Sequence, residues 1–295
     1  MAESGVVVVD KPADWTSHDV VARTRGLART RRVGHAGTLD PMATGVLVLG
    51  VEKGTKLLGH LTLTEKTYEA TVRLGLTTTT DDAEGEPGAR VDASGVGDEA
   101  VRAAVARLTG RIQQVPPQVS AIKVDGKRAY KSAREGKEVA LRAREVTVAE
   151  FAVSDIRRAV DADGTFVDVD AVITCSSGTY IRSLARDMGE DLGVGGHLTA
   201  LRRTRVGPYD LSQARTLDQL AEEFTQVPLD RAVAAAFPVR TLSEEETQRI
   251  RHGNRIDPST LGPGTVGLFA PDGRVVALGE NRRDHMKPVV VFDPA

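Results

Sequence analysis

The most unusual segment that could do chemistry is residues 34–45, GHAGTLDPMATG, where three glycines, His35 and Asp40 share one short connection. Glycine lets a backbone approach a ligand closely, and Asp40 before Pro41 puts a carboxylate on a turn, where it can project into a cleft. Such a carboxylate, ionised, serves as a nucleophile or a general base. Taken alone, an Asp-Pro turn and a loop histidine are more often structural than catalytic. The chain has no G-x-x-x-x-G-K-[ST], H-E-x-x-H or G-x-S-x-G, and no G-x-G-x-x-G after a strand, which argues against nucleotide hydrolysis and zinc peptidase chemistry.

The elements that must position these residues are legible in part. Val6–Val9 is short, apolar and β-branched, as is Gly45–Gly50, and both read as buried strands; Thr67–Leu74 alternates as a third. Between the first two, Ser17 reads as an N-cap with Asp19 in the first turn, Val20, Val21, Leu27 and Ala28 share one helical face, and Gly34 marks the stop. The other face of that helix is expected to carry five arginines, Arg23 to Arg32. Thr77–Gly88 reads as an acidic loop. Val101 to Leu108 reads as a helix ended by Gly110, Thr165–Cys175 as a strand, and Ile181, Leu184, Ala185 and Met188 as the face of another helix. From about Val239 short strands (265–269, 275–278, 289–292) punctuated by Gly and Pro suggest a small β module.

At 295 residues, 40% hydrophobic and 27% charged, the chain has the composition of one large or two ordinary globular domains. Only 11 aromatics leave little for broad stacking platforms, so a Tyr near a site counts for more. Cys175 is the sole cysteine, which excludes an internal disulfide and a Cys-rich zinc site and points to a reducing compartment. The early apolar run Gly5–Val9 is too short for a signal peptide, so a cytoplasmic location is expected, with no membrane association. The net charge of −2 hides segregation, for residues 81–99 are acidic while Arg23–Arg32, Arg111–Val146 and Arg202–Arg205 are basic.

In order and spacing these segments resemble the bacterial tRNA pseudouridine-55 synthase family, commonly called TruB. The resemblance rests on VDKPADWTSHDVV (9–21), GHAGTLDPMATGVLVLGVEKGTK (34–56), KTYEATVRLG (66–75) with its Thr-Asp-Asp-x-x-Gly loop, PPQVSAIKVDGKRAYKSAREG (116–136), CSSGTYIRSLARDMG (175–189) and LRRTRVGPY (201–209). Asp14 stands where the family's opening K-P-x-G motif has Gly. The resemblance implies an α+β fold: a mixed-sheet catalytic domain with helices over residues 1–230, carrying an RNA-gripping insertion at about 116–145, and a C-terminal PUA-like β domain over 231–295.

It also implies a reaction in which uracil is detached from C1′ of uridine-55 in the tRNA T-loop, rotated and rejoined through C5, without metal or cofactor. Asp40 would be the nucleophile, attacking C6 or C1′. A carboxylate in a dry pocket needs a cation beside it to stay ionised, and Arg182 would pair with it. Tyr68 would stack on the flipped base and help remove the C5 proton, Leu201 would line the base pocket, and His35 would fill the gap the base leaves. Lys11, Lys123, Lys127, Arg128, Arg202 and Arg203 would hold phosphates. The expected partner is the tRNA T-arm, bound by a monomer without a guide RNA. A non-catalytic tRNA-folding chaperone is the competing reading, and an RNA-guided relative ranks third.

Overall fold

The apolar run at the N-terminus forms strand β1 (Gly5–Lys11), buried over most of its length. The computed structural model describes residues 2–118 and 141–295, with only the strand pairing of residues 123–124 and 127–128 between them. Helix α1 (Ser17–Leu27) follows, but its N-cap is Thr16 rather than Ser17: Thr16 accepts from the Asp19 amide, and the Asp19 carboxylate accepts from the Thr16 amide at 3.0 Å. This reciprocal box satisfies two amides that a helix start leaves open. The helix stops at Leu27 because Arg29 turns left-handed at φ 53; Gly34, expected as the stop, lies in strand β2 (Val33–Ala36). The five arginines therefore do not share one helix face. Arg23 and Arg25, two residues apart, point to opposite flanks, and Arg29, Arg31 and Arg32 lie in the turn to β2. Strand β3 (Thr44–Val51) pairs antiparallel with both β1 and β2.

The chain divides into two units, of which the first comprises residues 1–40, 45–62 and 206–295, and the second residues 41–44 and 63–205. In the second unit, strand β4 (Lys66–Leu74) buries Tyr68, Ala70, Val72 and Leu74 on one face and turns Thr67, Glu69, Thr71 and Arg73 to the other. The acidic stretch is a loop over residues 79–86, as expected, and its ends pair as a small hairpin, β5 (Leu76–Thr78) against β6 (Pro87–Arg90). Helix α3 and strand β7 come next, α3 over Asp98–Arg107 after the short α2 (Leu58–Thr62) of the first unit, and β7 over Gly110–Gln114. Lys123–Val124 and Lys127–Arg128 pair antiparallel as β8 and β9. Residues 119–122, 125–126 and 129–140 of the expected gripping insertion, and the side chains of Lys123, Lys127 and Arg128, lie outside the described residues.

Two long strands, β10 (Arg144–Asp161) and β11 (Gly164–Cys175), complete the order β12-β4-β11-β10-β7, with β12 spanning Gly196–Val206. Tyr68 lies opposite Ile173, and Lys66 opposite Cys175. Helix α4 (Ile181–Asp191) buries Ile181, Leu184, Ala185 and Met188, which forms the apolar face expected from their spacing. Its return to β12 is tight: a Cβ on Gly189 would lie 2.1 Å from the carbonyl carbon of Gly195.

After β13 (Tyr209–Asp210), α5 (Leu217–Glu222), β14 (Val227–Pro228) and α6 (Leu229–Ala236), the chain forms a four-stranded sheet. Its strands are β15 (Val239–Thr241), β16 (Thr265–Phe269), β17 (Val275–Asn281) and β18 (Met286–Val291), with helix α7 (Glu244–Arg251) beside them. Leu242, Ile250, Val266, Leu268 and Met286 form its core, while Phe269, Leu278 and Phe292 join a second cluster with Val6, Val8, Val46 and Val48 of β1 and β3. The architecture is α+β, as expected.

Candidate active site

In the first unit the site is built around Asp40. Its predecessor Leu39 is held at both backbone groups by one side chain: Ser17 Oγ accepts from the Leu39 amide at 2.9 Å and donates to the Leu39 carbonyl at 3.1 Å. Ser17 and Leu39 are both buried, so these bonds satisfy groups that water cannot reach. The first turn of α1 thereby fixes the backbone that presents Asp40, which is itself half-buried. His35, in β2, is half-buried with its ring edge-on to His18 at 5.6 Å.

Lys11 is fully buried, and its ammonium donates to the carbonyls of Pro12 at 2.8 Å and Trp15 at 2.6 Å. Its charge ties the turn after β1 rather than facing solvent, where a phosphate would meet it. Asp14, in that turn, has φ 65, a conformation that glycine adopts freely and that a short polar side chain tolerates.

In the second unit Arg182 sits in the first turn of α4, 4% exposed. Its Nη1 donates to the Thr80 carbonyl at 2.8 Å and pairs with Asp82 at 3.4 Å. Asp82 is equally buried, and its carboxylate also accepts from the Thr80 hydroxyl and the Glu84 amide. Within its own unit Arg182 is thus paired with Asp82, a residue that sequence reasoning left in a loop. One turn on, Arg186 pairs with Asp81 at 3.3 Å, where burial raises the Asp81 carboxyl pKa and Arg186 opposes it.

Tyr68 is buried on β4, and Leu201 and Arg203 are buried on the neighbouring β12, Arg203 only 1% exposed. Arg202 projects differently, its Nη1 reaching the Thr44 hydroxyl at 3.3 Å. A cleft of about 710 Å³ is lined by Met42, Thr44, Glu69, Thr71, Leu201 and Arg202. Sequence reasoning also passed over Lys66, a buried lysine whose Nζ donates to the Thr64 carbonyl at 2.8 Å. Burial, with the Arg203 cation nearby, lowers its pKa to about 8, while burial raises that of the Cys175 thiol opposite it to about 11. Among the described residues no cluster of His, Cys, Asp and Glu could hold a metal, and no helix is long and apolar enough to cross a membrane.

Residues 25–181 match the model of the TruB family pseudouridylate synthase N-terminal domain. The chain belongs to the TruB family. Residues 182–235 match the family's tRNA pseudouridylate synthase B C-terminal domain, and residues 237–293 the C-terminal domain of tRNA pseudouridine synthase II. Curated TruB relatives run nearly the full length. The "tRNA pseudouridine synthase B" of Thermobifida fusca is 69% identical over 288 residues, covering 98% of each chain. That of Streptomyces griseus is 58% identical over 98% of this chain and 97% of its own. Among solved structures, an H/ACA RNP bound to a substrate RNA containing 2′-deoxyuridine matches at TM-score 0.73 and 25% identity, covering 98% of this chain and 85% of the other. A Cbf5-Nop10-Gar1 complex matches to the same extent. As a TruB-family pseudouridylate synthase the chain is an isomerase.

Proposed function

We propose that this chain converts uridine-55 in the T-loop of tRNA into pseudouridine, with Asp40 as the nucleophile. The observation that carries the reading is the nearly full-length identity to proteins named tRNA pseudouridine synthase B. The reaction breaks the N1–C1′ bond, rotates uracil and forms a C5–C1′ bond, the proton lost from C5 being balanced by one gained at N1. Asp40 starts it by adding to C6 or by displacing the base at C1′, and is released unchanged at the end. Support for this role comes from the Ser17 clamp, because a nucleophile must be held in near-attack geometry. Arg182 supplies the cation for Asp40, oriented by Thr80 and Asp82. Tyr68 stacks on the extruded base and Leu201 lines its pocket, while His35 fills the place it leaves. Arg202 and the insertion's Lys123, Lys127 and Arg128 hold phosphates of the T-arm. The chain acts as a monomer in the cytoplasm, without guide RNA or cofactor.

The position is tested with unmodified tRNA transcripts carrying 5-tritiated uridine. Tritium release is expected from the parent transcript and not from one with cytidine at position 55. Equal release from both would overturn the assignment of the target nucleotide.

A further inference from the structure

The turn between α1 and β2 is braced far more heavily than a surface connection requires. Arg29, at the position after a helix end where glycine is the common solution, is left-handed at φ 53; Glu52, which the turn touches, is left-handed at φ 52. The two are locked together. Glu52 accepts from the Thr30 hydroxyl, pairs with Arg32 at 3.6 Å and donates its amide to the Arg32 carbonyl at 2.8 Å. Inside the turn, Arg29 and Thr30 donate to the carbonyls of Gly26 and Arg25, and the Arg32 amide donates to Thr30 Oγ1.

This brace displays cations. Arg25, Arg29, Arg31, Arg32 and Lys53 are all exposed, and the side chains of Arg29 and Arg31 meet no carboxylate among the described residues. The only acid in the turn's own bonding, Glu52, is already shared between Thr30 and Arg32. No large hydrophobic side chain of residues 16–62 is exposed among the described residues, so the turn itself offers a partner charge rather than apolar surface. Exposed, unpaired guanidiniums on a braced backbone are instead suited to bidentate contact with phosphate oxygens. His35 lies three positions on from Arg32 along β2, roughly 10 Å of extended chain. A nucleic-acid strand held at the candidate site would therefore pass within reach.

We propose that the Arg29–Arg32 turn, with Arg25 and Lys53 beside it, is a second RNA-backbone contact, distinct from the 116–145 insertion, that adds affinity and register without reading bases. This rests on the tRNA reading above. Arg29→Gly removes a charge and relieves the left-handed backbone, so it separates binding from folding. With an unmodified tRNA transcript titrated between about 50 and 200 mM salt, Arg29→Gly/Arg31→Gln should bind several-fold more weakly than wild type. Its slope of log affinity on log salt should be shallower by about two, one for each lost phosphate contact. The melting temperature of Arg29→Gly alone should not fall. An unchanged slope, or RNA affinity unchanged while polyglutamate binding is lost, would overturn the proposal, the latter in favour of an acidic protein partner. Tritium release by wild type, run in parallel, separates the two readings: release with an unchanged slope sinks only this contact, and no release sinks the function.

Discussion

Asp82 shows how a buried charge acts through its partner. Arg182 and Asp82 are both nearly inaccessible, and each is a liability without the other, because breaking a buried pair leaves a desolvated charge. Asp82→Asn keeps the shape but removes the charge, and should cost about 3 kcal/mol in urea unfolding and depress turnover, since Arg182 loses the anchor that aims it. Unchanged turnover would mean that Arg182 needs no orienting partner. The residues proposed to carry the chemistry stood out in the sequence as motifs, Asp40 in a glycine-rich connection and Arg182 in a helix. Their supports did not: Ser17 and Leu39 are 22 positions apart, and Arg182 and Asp82 are 100 apart, and no local pattern encodes such a meeting.

The helix-to-loop clamp is the element on which the site depends. Thr16 caps α1 with Asp19, which frees the Ser17 hydroxyl for Leu39; sequence reasoning saw a capping residue here but placed it one position late. Ser17→Ala should leave the helix intact and the Leu39 amide and carbonyl unsatisfied in a buried place, a loss of about 1–3 kcal/mol with a fall in turnover larger than the fall in RNA affinity. A matching loss of both would make Ser17 a general stabiliser only. The buried strands β1, β3 and β4 and the helix α4 were readable because each carries an apolar run or face that it buries. The pairing of β5 with β6 at the ends of the acidic loop was not, because the four residues of β6 are mostly exposed and carry no alternation.

At the scale of the whole molecule, buried ionisable groups set the response to pH. Lys66 falls from its ordinary 10.5 to about 8 on folding, so the unfolded chain binds more protons in that interval and stability rises with pH from about 8. Cys175, raised from 9.0 to about 11, and Tyr209, raised from 10.0 to about 12, work in the opposite sense above pH 9 and pH 10. Stability should therefore climb between pH 8 and 9, level to about pH 10 and fall above it, and Lys66→Met should abolish the climb; a variant that retains it would place the titration elsewhere. The central claim concerns Asp40. Its most direct test is tritium release from 5-tritiated tRNA by wild type and Asp40→Asn, with RNA affinity measured on both. The account predicts release by wild type alone, with affinities within about tenfold, because one carboxylate is a small part of a phosphate-dominated interface. Release by Asp40→Asn at the wild-type rate would contradict it.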